Sequence, residues 1–503
     1  MGTVRDGHLA ADVVVVGTGN AALNAALSAA KEGRRTVVLE KAPRDRMGGN
    51  SFYTAGAYRI AVDDVETLAG ILGEDGMRER VRPATDLPTY SAKEFERDLD
   101  RITGGRTDPV LAQQIIDGSA ETARWLRDQG VPWTLMYDRQ SHHVDGRWQF
   151  WGGLFLGVEG QGPVLVDRLY QACLRAGVTF HFETPVVDLG FDDRLRHVEH
   201  VVAYDLREQR PVRIDAHAVV LGSGGFEANP RLRAAYLGPG WDLAHVRGTP
   251  FNTGELLETA VGSWAGSAGE WSGAHATAWD ASTNPHAGDP ELSNRATKQG
   301  YWLGIVVNLH GERFLDEGAD FRNFTYAKYG REILAQPSRR AFQIFDSQTI
   351  ALVDPAEYDP DVAPRVMADT IEGLAEGAGI DAPSLRRTVD RFNAAASDAP
   401  FDPTSRDGKA AADLWPPKSN WAVPIEQPPF YAFEVTCGIT FTFGGLRVDG
   451  DAGVIGRTGQ RIAGLYAAGE TVGGIFYGNY PGGSGLSAGA VLGRRAGLAA
   501  AAE

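Results

Sequence analysis

The chain has 503 residues, 43% of them hydrophobic, with 49 Lys and Arg against 65 Asp and Glu, a formal net charge of −16. Such an acidic balance argues against nucleic acid or an anionic membrane surface as partner, and no run of about 18 apolar residues offers a membrane span. Its only cysteines, Cys173 and Cys437, form no CxxC, haem-attachment or iron–sulfur ligand set, and the opening MGTVRDGHLAA lacks a leader's apolar core, so a cytoplasmic protein without a metal centre is expected.

The first elements carry the strongest pattern. Asp12–Val16 reads as a buried strand, followed by a turn at Gly17 and Gly19, an alanine-rich helix opening at Asn20 and Ala21, and a second strand ending on Glu40 and Lys41. Gly17 permits a tight turn, Gly19 lets a pyrophosphate approach the backbone, and Ala22 takes the third small position where helix meets sheet. The helix aims its first N–H groups at phosphate charge, and Glu40 is placed to bind ribose hydroxyls. A second glycine-rich loop follows at once, with Gly48, Gly49, Asn50, Ser51, Thr54, Ala55 and Gly56. A nicotinamide enzyme has no need of it. A flavoprotein does, because FAD lies extended and its ring needs close backbone approach.

Farther along, residues 107–130 and 162–176 read as amphipathic helices. A strand at 178–182 follows, and short strands at 185–191, 197–204, 211–214 and 218–221 suggest a meander appended to the parallel sheet. Gly224, in the turn Gly222–Gly225, is placed to return to the cofactor phosphates, and Thr253-Gly254 opens another helix. Near 266 the composition shifts to Trp, Gly, Ser, Asn and Pro. An inserted domain is expected to about 428, with a strand at 304–308, a turn at 310–312, helices near 325–335, 362–378 and 383–397, and a proline-rich return. His142-His143 has no third ligand spaced to join it, so it reads as loop rather than metal site.

The chain's end mirrors its beginning. A buried strand runs into Gly469 and Glu470, and a loop with Ser484, Leu486 and Ser487 opens a helix whose positive end suits a reduced flavin pyrimidine. Gly485, Gly489, Gly493 and Gly497 recur every fourth residue and form one smooth face. That face complements Ala21, Ala22, Ala25, Ala26 and Ala29, so the two termini should pack together; membrane dimerisation is excluded by Arg494, Arg495 and the segment's length. The expected architecture is α/β: a Rossmann-type, GR2-like FAD-binding domain (1–265 and 429–503) with an inserted α+β capping domain (266–428).

GGNSFYTAGAYR (48–59), GERFLDEGADFRNFTYAKYG (311–330), EVTCGITFTFGG (434–445) and GNYPGGSGLSAGAVLGRRAG (478–497) together resemble the fumarate reductase and succinate dehydrogenase flavoprotein superfamily. Within it the chain is most similar to FAD-dependent tricarballylate dehydrogenases, with 3-ketosteroid dehydrogenases more distant. The resemblance implies dehydrogenation of CH–CH to C=C in a carboxylate-bearing small molecule, tricarballylate to cis-aconitate, with hydride passing to flavin N5. Arg322, beyond Arg313-Phe314 and Glu317, takes the position of the proton carrier, with Glu317 and Asp320 as relay candidates. It also puts Val187 against adenine and His275 at the substrate. Asn50 stands where succinate dehydrogenases link the flavin to histidine, implying non-covalent FAD.

Departures from fumarate reductases bear on the substrate. Phe441, flanked by Thr440 and Thr442, and Tyr480 replace the histidine and arginine that clamp a C4 dicarboxylate. Tyr480 with the Gly483 N–H is shared with 3-ketosteroid dehydrogenases, where such a pair polarises a carbonyl, and here could hold a carboxylate or a ketone. Arg59 is a candidate for a second carboxylate. A desaturase or ene-reductase acting on a larger carbonyl compound is the alternative, and a flavin-binding protein without turnover a third. Electrons would leave to an external acceptor: a separate protein, a quinone or oxygen.

Overall fold

The structure, a computed structural model, describes residues 8–192, 194 and 196–503. Residues 1–7, most of the stretch inspected for a leader, lie outside the described residues. The central strand His8–Val16 lies parallel between Thr36–Leu39 and Arg210–Leu221. Thr179–His181 extends the sheet on one side and Arg461–Ala467 on the other, both in parallel. Val13–Val16 and Thr36–Leu39 are buried throughout, the near-continuous apolar runs that central parallel strands require. Register aligns Val16 with Leu39 and with Leu221, and Leu221 with Ala467. The carboxyl ends of four strands therefore finish in one line, where open α/β sheets bind ligands.

Val186–Phe191, Val198–Asp205 and Arg210–Leu221 form the antiparallel meander. The two strands expected at 211–214 and 218–221 are one continuous strand, because Arg210–Leu221 pairs with the meander from Arg210 to Asp215 and with the central parallel strand from Arg213 to Leu221. Asn20–Lys31 and the last helix, Ser484–Ala502, pack against each other. A Cβ added at Gly493 would meet Ala21 O at 2.3 Å, and one at Gly497 would meet Ala25 O at 2.3 Å. His142 and His143 belong to a strand, Ser141–Val144, rather than a loop.

A second, six-stranded sheet is built around Phe430–Thr442, which pairs with Ala274–Asp280, Ala341–Phe345, Val366–Ala368 and, in parallel, His245–Val246. Ile305–Asn308 adds to its edge through Ala341–Phe345. This sheet draws on segments on both sides of the 266–428 insert. Its own core packs Ile305, Val307, Phe342 and Ile344 against Leu374, Leu385, Val389 and Phe392 of two helices, Ile371–Ala378 and Ala382–Ala395. The first of these is shorter than the helix expected at 362–378: Pro364 cannot continue a helix, Val366–Ala368 joins the sheet, and Thr370 caps the helix by accepting from Gly373 N at 3.1 Å.

Candidate active site

A cleft of about 600 Å³ follows the line of strand ends. At its first turn Gly17 has φ +101°, and a Cβ there would strike Gly222 O at 2.5 Å. Only glycine fits. Gly19 is open instead, with nothing nearer to such a Cβ than Ser51 Oγ at 3.7 Å, so space lies before the helix end at Asn20 and Ala21. Asn20 is locked by Tyr58 Oη, which donates to its Oδ1 at 2.7 Å, while its Nδ2 donates to Leu486 O at 2.8 Å. Glu40 faces the same cleft, accepting from Thr18 Oγ1 at 2.5 Å and Ala42 N at 2.8 Å, and burial pushes its carboxyl upward. Lys41 pairs with Glu255 at 3.0 Å on the rim. Val187 lies at the lip, 49% exposed, an apolar surface suited to a planar base.

Gly49, Asn50, Ser51, Thr54, Ala55, Gly224, Gly469, Glu470 and Leu486 also line the cleft. Gly48, Gly56, Ser484 and Ser487, expected beside the cofactor, do not. Val166 packs against Gly48, and a Cβ at Gly56 would meet Gln161 Cα at 2.9 Å. Ser484 Oγ donates to Pro481 O, and Ser487 Oγ donates to Arg59 O at 2.6 Å. These residues shape the loops behind the wall. The glycine cradle, the open helix end and the buried Glu40 carboxylate suit a dinucleotide lying along the strand ends.

Two carboxylates meet at the cleft, Glu227 fully buried and Glu470 half-buried on its wall. Asn252 Nδ2 donates to Glu227 Oε1 at 2.7 Å and Glu470 Oε2 at 3.5 Å. Asn50 Nδ2 donates to Glu227 Oε1 and to Thr440 O, each at 2.5 Å, while its Oδ1 accepts from Thr249 N at 2.9 Å. Glu470 Oε1 accepts from Thr442 N at 2.8 Å and Thr442 Oγ1 at 3.2 Å, so this threonine serves the carboxylate although it also lines the cleft. Burial raises both carboxyls, and Glu227's charge pushes Glu470 higher still.

The second sheet and the segments beside it supply the other wall. His275 pairs with Phe441 and Ala276 with Ile439, leaving Thr440 as the extra residue of a β-bulge. Bulges re-aim side chains, and this one gathers His275, Thr440 and Phe441 onto the cleft. His275 is 1% exposed, stacked 5.3 Å from Phe441, and neither ring nitrogen has a partner. Burial, then the Arg247 charge, hold it well below the usual histidine range, so it is neutral. Tyr480 Oη and Tyr326 Oη share a 2.5 Å hydrogen bond beside it, and Gly483 borders the same space.

Arg322 is buried on this wall, its guanidinium donating to Gln299 Oε1 and Arg139 O and lying 5.2 Å from the Trp151 ring centre. No carboxylate among the described residues lies within 4.0 Å of it. Burial, then the neighbouring Arg139 charge, lower its pKa. Neither expected relay carboxylate touches it: Glu317 accepts from Arg313 Nε at 3.0 Å and Val306 N at 2.8 Å, and Asp320 pairs with Arg101 at 2.5 Å. The carboxylates in its network are Glu357 and Asp354, bound by Arg139 at 2.7 and 2.9 Å, with Glu357 also accepting from Gln299 N at 2.9 Å.

Arg59 is a correction. Its side chain is wholly buried outside the cleft, donating to Gly482 O at 2.9 Å and Gly152 O at 3.2 Å between Tyr90 and Phe324. Sequence reasoning missed Arg139, Arg247, Asn294, Gln299 and Tyr326, all on the cleft wall. Arg247 donates to Thr440 Oγ1 at 2.7 Å and Asn294 Oδ1 at 2.5 Å. The one available signal was Arg247-Gly248-Thr249 just before the recognised Thr253-Gly254 helix start.

Comparison with known proteins agrees with this geometry. The FAD binding domain family matches residues 12–486. A fumarate reductase (cytochrome) from Shewanella frigidimarina is 28% identical over 502 residues, covering 98% of this chain and 77% of that protein. A 4-oxocyclohexanecarboxylate 2-dehydrogenase from Sinomonas cyclohexanicum is 29% identical over 560 residues, covering 98% and 92%. The solved open conformation of a flavocytochrome c3 fumarate reductase shares the fold, with TM-score 0.73 and 24% identity over 98% of this chain and 78% of that one.

Proposed function

The chain belongs to the FAD binding domain family, as an FAD-dependent oxidoreductase of the fumarate reductase type acting on carbon–carbon bonds, and we propose that it desaturates a carboxylate-bearing small molecule, tricarballylate to cis-aconitate. The observation that carries this reading is Arg322, a buried guanidinium on the cleft wall with no carboxylate partner among the described residues. Bound FAD would supply the two-electron acceptor for hydride leaving a CH–CH unit. Gly17, Gly19, Asn20, Ala21 and Glu40 would hold its pyrophosphate and ribose end, and Asn50, Ser51, Thr54 and Leu486 its ring end.

Arg322 would take the proton from the carbon alpha to a carboxylate. An ordinary guanidinium is too weak a base, but burial and Arg139 both favour its neutral form. Gln299 and the Arg139 carbonyl fix its orientation, and Glu357 and Asp354, paired with Arg139, lie beyond them without touching it. Tyr480 and the Gly483 N–H would hold the substrate carboxylate whose adjacent C–H is activated. Electrons would then pass to an external acceptor.

Replacing Arg322 by Ala is expected to lower turnover at least about a hundredfold while leaving the bound flavin spectrum unchanged. Full activity in that variant would remove the mechanism. The hydrogen-bonded phenols of Tyr326 and Tyr480, beside Phe441, favour a second reading in which a ketone is activated. Anaerobic reduction of the enzyme by tricarballylate, and separately by a ketone panel, separates the two.

A further inference from the structure

Four arginines are buried without a carboxylate within 4.0 Å among the described residues: Arg59, Arg233, Arg247 and Arg322. Arg59 and Arg233 lie outside the cleft and direct their N–H groups at backbone carbonyls; Arg233 alone reaches those of Glu227, Trp241, Asp242 and Ala244. Arg247 and Arg322 both line the cleft. Those two bond only backbone carbonyls, and Arg59 Nη2 is also left without a partner. Arg247 instead uses Thr440 Oγ1 and Asn294 Oδ1, and its buried Nε has no partner.

The backbone of Arg247 is fixed where His245–Val246 joins Phe430–Thr442, with its N–H donating to Ile439 O at 3.0 Å. The Trp279 ring lies 5.7 Å from the guanidinium. Thr440, the extra residue of the bulge, and Asn294 hold it from two other elements. The fork is therefore pre-set, and the His275 ring stacked on Phe441 is held toward its neutral form; burial and the Arg139 charge also lower the pKa of Arg247, and an incoming carboxylate would favour its charged form. A chain of net charge −16 repels anions at long range, and a polyanionic ligand needs local cations of this kind.

We infer that Arg247, held by Asn294 and Thr440, is a second carboxylate subsite, separate from Arg322, so that the enzyme selects substrates bearing at least two carboxylates. Arg247 acts as a specificity-determining residue and takes no proton. The inference rests on the desaturase reading in treating the space between the two guanidinium groups as the reacting centre.

The test uses FAD-loaded enzyme, wild type beside Arg247→Gln, Arg247→Lys and Asn294→Ala. Two quantities are read: the Kd for cis-aconitate, from perturbation of the oxidised flavin spectrum, and KM and kcat with tricarballylate and with its terminal monoamide. Loss of a charge-assisted contact predicts that Arg247→Gln raises Kd and KM by about ten- to a hundredfold, with a smaller fall in kcat. Preference for tricarballylate over the monoamide should collapse, with Arg247→Lys and Asn294→Ala showing smaller losses in the same direction. Wild type that binds cis-aconitate, with all three variants binding it equally, overturns the subsite alone. Wild type that neither binds cis-aconitate nor oxidises tricarballylate overturns the desaturase reading and the subsite with it.

Discussion

Glu227, fully buried, and Glu470, half-buried on the cleft wall, share the Asn252 amide, and no cation among the described residues lies within 4.0 Å of either. Their carboxyls are raised above the ordinary value of 4.5 by burial, and Glu470 further by its neighbour. The folded protein therefore holds a proton that the unfolded chain releases. The stability this contributes is fully present below the unfolded value and is lost as pH rises through the folded one. The Arg233 guanidinium lies close enough to feel Glu227, and its N–H groups are already committed to carbonyls. Removing one carboxylate with Glu227→Gln should flatten the fall in melting temperature of the apoprotein as pH rises above the ordinary carboxyl value of 4.5. An unchanged slope would show that the pair does not share a proton. At this scale the sequence was legible only where chemistry is contiguous: Gly17, Gly19 and Glu40 form one strand–turn–helix–strand unit. Arg139, Arg247 and Gln299 reach the cleft from three unrelated segments, and no local spacing marks them. Arg59 misled because it follows the flavin loop, yet the chain turns it behind Gly482.

The four-residue glycine spacing of the last helix predicted its partner because helix faces are periodic. Gly493 and Gly497 meet the backbone of Ala21 and Ala25, whereas Gly485 turns toward Tyr480 and Phe441. Gly493→Ala forces the two helices apart, and overpacking of this sort costs about 1–3 kcal/mol. Because Asn20–Lys31 also carries the phosphate-facing turn, the variant should melt earlier and hold FAD more weakly. A Gly493→Ala protein with wild-type melting temperature and FAD affinity would refute the close approach. The bulge at Thr440 was not read: it arises from pairing with Ala274–Asp280, more than a hundred residues away, and its one local mark is Gly438 inside the strand.

The whole molecule places a reactive space between two sheets of different origin. One wall is the line of strand ends at Val16, Leu39, Leu221 and Ala467, and the other is the bulged strand Phe430–Thr442 with Arg247, His275 and Arg322 around it. Glycine motifs at both termini made the first wall readable. The second was not, because composition marks an insertion but says nothing of which strands cross back to complete its sheet. The proposed function has the cleft remove hydrogen from a polycarboxylate, with bound FAD to supply the hydride acceptor. Mixing the FAD-loaded enzyme with tricarballylate in the absence of oxygen tests it directly. The yellow flavin absorbance should bleach, with one cis-aconitate formed for each flavin reduced. A flavin that stays oxidised with tricarballylate and other polycarboxylates, yet bleaches with a ketone, would contradict it.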